Sequence, residues 1–349
     1  MDWLDNIFSV VQAWLFETLV QPAMFALGMG NFLEDAYAAT AWFMVGVIQI
    51  IILLAVMGPL QRWRPVEVRN LPGDRASVRV DILYTLIHRL GLFRLALFFT
   101  VEPWFDEGFG ALRTAGFGTF HLDQLWPGVT DSAVVSLVIY LVVFDFVAYW
   151  THRGQHQLAW WWQLHSLHHS LRQMTMWSDN RNHLLDSILM DSIIVVVAQL
   201  IGVPPEQFIV IVALTQLSES FQHANVRLWF GRVGERLWVS PRFHRLHHSI
   251  GIGHETPLRP RKFSDGSPLG NLAPSGGSEA HAVASVGVKL GGHNFGVLLP
   301  WWDMLFGTAN FELRYDATGI RDQVEKNRDY GEGFWSQQWL GLKRLVGRA

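Results

Sequence analysis

From Ala36 to Leu60 the chain runs 25 residues with Gln49 as the only strongly polar side chain. About 20 apolar residues in helical conformation cross the hydrocarbon core of a bilayer, so this stretch predicts a transmembrane helix. Four further apolar segments follow, near 82–102, 132–151, 184–202 and 206–222. His88, Arg89 and Arg94 interrupt the first of these, which reads as a helix that either crosses or dips into the interface. Val203-Pro204-Pro205 separates the last two and predicts a tight turn, hence a helical hairpin. The expected class is an all-α integral membrane protein with about four to five transmembrane or re-entrant helices.

The ends of the chain are membrane-associated in a different way. Residues 7–29 are apolar but follow an acidic start, Met1-Asp2-Trp3-Leu4-Asp5, and no small-residue cleavage site follows. They read as a retained helix, spanning or interfacial, rather than a secretory signal. At the other end Trp335, Trp339, Leu340, Leu342 and Leu345 alternate with Lys343 and Arg344, predicting an amphipathic interfacial helix. The expected organisation is an N-terminal segment (1–35), a membrane domain (36–312) and a C-terminal amphipathic segment (313–349).

Composition agrees with a bilayer environment. Charged residues make up 16% of the 349, where soluble domains carry about 25%. Seventeen tryptophans suit a chain with much of its mass at lipid–water boundaries. A net charge of −3 gives no reason to expect nucleic acid as a partner. There is no cysteine, which excludes disulfides, thiolate-held haem, iron–sulfur clusters and Cys-type zinc sites. Any metal must be held by nitrogen and oxygen.

Ten of the fifteen histidines lie between His152 and His248, eight of them in three clusters. These are His152 and His156; His165, His168 and His169; and His244, His247 and His248. Residues three and four apart share a helix face, so each cluster can turn two or three imidazoles toward one point. Neutral imidazole is the commonest side-chain metal ligand. Eight exceed what one ion takes, which suggests two metals. His183 stands just before the hairpin and His223 just after it. A helix leaving and a helix returning end at the same depth, so both should sit level with the clusters. Asp145, Asp186 and Glu219 stand seven, three and four residues from His152, His183 and His223, and are candidates to orient ligands from behind. His88, His121 and His281 read as ordinary structural histidines, His254 and His293 as lesser ligand candidates. Gly251-Ile-Gly253 is a loop glycine pair without a phosphate-binding pattern.

Arginines fix an expected sidedness. Arg62, Arg64, Arg69, Arg75 and Arg79 follow the first span, whereas 104–131 holds only Arg113. Arg153, Arg172, Arg181, Arg227, Arg232, Arg236, Arg242 and Arg245 accompany the histidines. Basic loops favour the cytoplasm, so all three clusters are expected on one cytoplasmic face.

The order H-x-x-x-H, H-x-x-H-H, H-x-x-H-H across membrane helices resembles the fatty acid hydroxylase/sterol desaturase superfamily of integral membrane di-iron enzymes. Arg181-Asn-His183, Phe221-Gln-His223-Ala-Asn225, Ser240-Pro-Arg-Phe-His244, Asn294-Phe-Gly296 and the segment Pro300 to Thr308 support it, so that it covers roughly residues 80–312. The resemblance implies two iron ions held by the eight clustered histidines, with His183 and His223 completing the shell and zinc able to substitute. It implies O₂-dependent hydroxylation or desaturation of a lipid C–H bond, whether fatty acyl, sterol or related. No nicotinamide or flavin fingerprint and no His-Pro-Gly-Gly haem segment occurs, so a separate electron-transfer protein is expected. The alternative is a non-oxygenase zinc- or other metal-binding membrane protein. A hydrolase would want H-E-x-x-H, which is absent; a transporter would place its ligands at mid-bilayer. One departure is a Gly-, Pro- and Ser-rich insertion from Glu255 to Gly292, expected to be a flexible loop.

Overall fold

The computed structural model describes residues 2–67, 74–250 and 292–348. The expected loop, together with His254 and His281, therefore lies outside the described residues apart from Gly292. Among the described residues the chain is all-helical, with one isolated bridge between Ser249 and Thr318.

Helices α1 (Asp2–Leu15) and α2 (Gln21–Ala26) are joined by a π-helical turn, Phe16–Val20. They lie against α3 (Leu33–Ile52), where Gln12 Nε2 donates to Tyr37 O at 3.0 Å. A second π-helical turn, Leu53–Met57, links α3 to α4 (Gly58–Trp63). Pro59 explains it: the ring lacks an N–H and crowds the preceding turn, and a widened turn relieves both problems.

Helices α5 (Asp74–Arg89) and α6 (Leu92–Thr100) are bent by 53° at the Gly91 break, where φ is +79°. After α7 (Glu102–Thr114) come α8 (Ala133–Gln157) and α9 (Ala159–His169). Then α10 (Leu184–Ile201) and α11 (Pro205–His223) form the hairpin, with short α12 (Gly231–Gly234) and α13 (Pro241–His247) beyond. After the undescribed segment come α14 (Trp301–Leu305), α15 (Arg321–Glu325) and α16 (Phe334–Leu345).

Among the described residues three stretches are long and apolar enough to cross a membrane: Gly30–Trp63, Ala133–Gln157 and Leu184–Ile201. The bent pair α5–α6 makes a fourth if it is one span. Helix α11 does not qualify, which lowers the expected number: Gln216, Ser218, Glu219, Ser220 and Gln222 make its second half polar.

That polarity has a use. Arg89 from α5 is buried and paired with Asp179 at 2.7 Å. It also donates to Ser220 Oγ, the Gln216 carbonyl and Gln49 Oε1, so the one polar side chain of the first span serves a buried cation. A charge inside a bundle is retained only when such partners surround it. Gly46 makes the crossing possible, since a Cβ there would stand 1.7 Å from the Arg89 carbonyl oxygen.

Away from the histidines, Tyr140, Phe144 and Ile211 form an apolar core with Ile194, Ala198 and Phe208. Helix α16 is amphipathic in an inverted sense. Gln337, Gln338, Gly341 and Arg344 face the protein, while Trp335 and Trp339 point outward, 78% and 60% exposed. An outward tryptophan stripe beside a membrane domain suits the bilayer interface.

Candidate metal centre

Helix α8 ends in His152 and His156, α9 in His165, His168 and His169, α11 in His223, and α13 carries His244 and His247 with His248 as its C-cap. These ends meet. His152, His156, His169 and His247 form one group and His168, His223, His244 and His248 another, with candidate ligand atoms within 4.8 Å of one another in each. The second and third clusters therefore divide between groups instead of each facing one point. The reason is helical geometry: neighbours such as His168 and His169 point about 100° apart at 3.6 residues per turn, so one imidazole of each pair serves each group.

Backbone carbonyls set the tautomers. His152 Nδ1–H donates to Phe295 O at 2.9 Å, His247 Nδ1–H to His293 O at 2.7 Å, and His223 Nδ1–H to Glu219 O at 2.8 Å. A carbonyl oxygen only accepts, so in the neutral rings the proton sits on Nδ1 and the Nε2 lone pair faces the centre. Nε2 of His223 lies 3.1 Å from Nε2 of both His168 and His244, and His244 Nε2 lies 3.1 Å from that of His248. Nitrogens about 2.0–2.1 Å from one ion stand roughly 2.8–3.4 Å apart at octahedral to tetrahedral angles. Three of the six nitrogen pairs in the second group already stand at such a separation. In the first group, His247 Nε2 is buried and has no hydrogen-bond partner, the orphan atom that a metal would satisfy.

Burial, first, and the neighbouring imidazoles, second, hold His168, His169, His244, His247 and His248 well below the ordinary histidine range. They are neutral at pH 7, the form that binds metal.

His165 belongs to neither group, although its ring lies 5.1 Å from His156 and His169 and 5.3 Å from His152 and His168. Its Nδ1–H donates to Asp186 Oδ2 at 3.1 Å and its buried Nε2 has no hydrogen-bond partner. Asp186 is held in turn by Gln155 Nε2 at 2.8 Å and Trp161 Nε1 at 2.7 Å.

Four expected site residues are placed differently from the sequence reading. His183 is not gathered with the others: its Nδ1 accepts from Leu185 N–H as the N-cap of α10, and its Nε2–H donates to Gln338 O at 2.9 Å. Its direction is set by α16, where Gly341 leaves room for the ring that any side chain would fill. The Asp145 carboxylate meets no histidine; it accepts from Leu298 N, Leu299 N and Trp302 Nε1, tying the closing segment to α8. Glu219 supplies its backbone carbonyl to His223, leaving the carboxylate free of that task. Asp186, sought behind His183, stands behind His165. The ring of His293 joins neither group.

Sequence reasoning missed the carbonyls of Phe295 and His293, because a backbone oxygen leaves no compositional trace. The available signal was Asn294-Phe295-Gly296: Asn294 has φ of 58°, and Phe295 and Gly296 N–H both donate to Asp303. It is a tight turn that presents carbonyls to the histidines.

Residues 137–257, which contain all three clusters, match the fatty acid hydroxylase family. The chain is also 26% identical over 342 residues to the ornithine lipid hydroxylase OlsE of Rhizobium tropici, covering 95% of this chain and 87% of that protein. No solved structure matches. Clustered histidines able to bind metal, helices suited to a bilayer and these similarities converge: the chain is an integral membrane protein that is similar to the fatty acid hydroxylase superfamily, with the family's domain over residues 137–257.

Proposed function

We propose that this lipid hydroxylase is an O₂-dependent oxidoreductase with two irons, its histidine centre facing the cytoplasm. The carrying observation is the pair of four-histidine groups built from four helix ends. His152, His156, His169 and His247 would hold one ion and His168, His223, His244 and His248 the other, with His165 beside the first. Two irons in such nitrogen sets supply the reduction of O₂ that removes hydrogen from an unactivated C–H bond. Overall, R–H, O₂, two electrons and two protons give R–OH and water, the electrons coming from a separate redox protein.

The chain's own residues orient and enclose. The carbonyls of Phe295, His293 and Glu219 keep Nε2 directed inward, and Asp186 does the same for His165. The Phe295 ring packs 5.2 Å from His156 and 5.7 Å from His247, excluding water from that side. The buried pair Arg242–Glu235 and the partly buried pair Arg245–Glu67 anchor α13. Hydroxylation is favoured over desaturation by the family and by the relative, and an ornithine-containing lipid is the first substrate to try.

The test is elemental analysis with O₂ uptake on iron-loaded protein supplied with a chemical reductant and lipid extract. About two irons per chain and lipids gaining one oxygen are expected. Zinc retained after attempted iron loading, with no O₂ consumed, would overturn the proposal.

A further inference from the structure

The hydrogen bonds behind His165 continue past Asp186 to the protein surface. Trp161 Nε1–H donates to Asp186 Oδ1 at 2.7 Å. The Trp161 ring is stacked on that of Trp160, with centroids 5.2 Å apart and planes 9° from parallel. Trp161 is 8% exposed and Trp160 48%. A continuous chain of contacts therefore leads inward: the Trp160 indole, the Trp161 indole, the Asp186 carboxylate and His165. His165 carries a buried Nε2 without a hydrogen-bond partner, and its ring stands 5.1 Å from those of His156 and His169 in the first group.

Spacing in the sequence does not by itself produce this arrangement. Consecutive residues diverge by about 100° around a helix, so adjacent indoles ordinarily point apart. Here the bond to Asp186 pins Trp161, and Trp160 lies flat against it while keeping half its surface exposed. Other tryptophans lead elsewhere. Trp302 Nε1–H ends on Asp145, whose carboxylate meets no histidine. Trp335 and Trp339 on α16 point outward. The competing way in is Trp162, half-buried with its ring 5.1 Å from His156.

The proposed reaction draws two electrons from outside the chain. Tunnelling through a protein slows steeply with each gap between groups, and a ring stack followed by two hydrogen bonds keeps those gaps short. We propose that Trp160 and Trp161 are the entry for electrons into the histidine centre, with Trp160 as the end at which a one-electron redox protein delivers them. The assignment rests on the lipid hydroxylase reading above and adds to it a route and a surface. Each electron oxidises one donor and reduces the iron-loaded centre by one. The indoles and the Asp186–His165 pair bridge the two without net change, and two such events serve one turnover.

Stopped-flow reduction tests it. Iron-loaded, detergent-solubilised protein is mixed without O₂ with reduced methyl viologen, a one-electron donor that needs no docking partner, so that the path alone sets the rate. Trp160→Leu removes the stacked ring and no bond to Asp186; it should be reduced several-fold more slowly than the native protein. Trp160→Phe should recover most of that loss. Trp161→Phe also breaks the bond to Asp186 and should be slower by roughly tenfold, as for the loss of a group that orients a ligand from behind. Iron content should stay native in both Trp160 variants, and Trp335→Leu should match the native rate. Equal rates in native protein and Trp160→Leu, or a slowing with Trp162→Leu in its place, overturn the inference and leave the hydroxylase reading standing. A native protein whose iron the donor cannot reduce overturns both.

Discussion

At the residue scale, what separates a ligand from a neighbour is where its second nitrogen goes. His247 spends Nδ1–H on a carbonyl and keeps Nε2 for the centre. His183 spends both nitrogens on the protein. The two should respond oppositely to replacement. His247→Ala should lose the ion of the first group, and activity with it, at near-native melting temperature. His183→Ala should keep both ions but lose roughly 1–2 kcal/mol of stability through the missing cap and packing. Elemental analysis beside thermal melts on the same preparations decides between these patterns, and metal loss in His183→Ala would refute the placement. The three clusters were legible as ligand candidates from spacing alone. Their division into two sets was not, since it depends on which helix faces which.

At the element scale, the site is a meeting of helix ends, so close crossings matter as much as ligands. Gly46 is the tightest of them, with the Arg89 carbonyl where any side chain would begin. Gly46→Ala should part α3 from α5 and disturb the network that Arg89 shares with Asp179 and Gln49. Overpacking at a backbone contact costs about 1–3 kcal/mol or more. A lower melting temperature, with Gly108→Ala (open space around it) as the silent control, checks this. The helices themselves were readable from apolar length, whereas α11 was over-read as a span. Its polar residues face Arg89 and the histidines, and hydropathy cannot tell an inward polar face from a failed membrane helix. The inverted face of α16 was similarly hidden: its tryptophans were visible, but not that Gln338 caps the start of α10.

For the whole molecule, sidedness is the property that arginine counts predict and no internal contact decides. The absence of cysteine makes it directly measurable. Arg172→Cys, beside the second cluster, should react with a membrane-impermeant thiol reagent only from the cytoplasmic side. Phe117→Cys, 67% exposed between α7 and α8, should react only from the other. The reverse labelling would invert the topology and move the expected redox partner to the opposite face.

The sequence by itself determined the solvent, the helical class and the donor chemistry: long apolar runs suit a bilayer, and clustered imidazoles without thiols leave nitrogen and oxygen as the donors to any metal. Both are local properties, readable over one or two helical turns. Only the tertiary structure decided which imidazoles gather into each group, which carbonyls orient them, and that the carboxylates of Asp145 and Glu219 stand away from the histidines. Those outcomes depend on the rotation of each helix about its axis. That rotation is set by distant contacts, such as Gly46 on Arg89 and Asp145 on the closing segment, that no local pattern records.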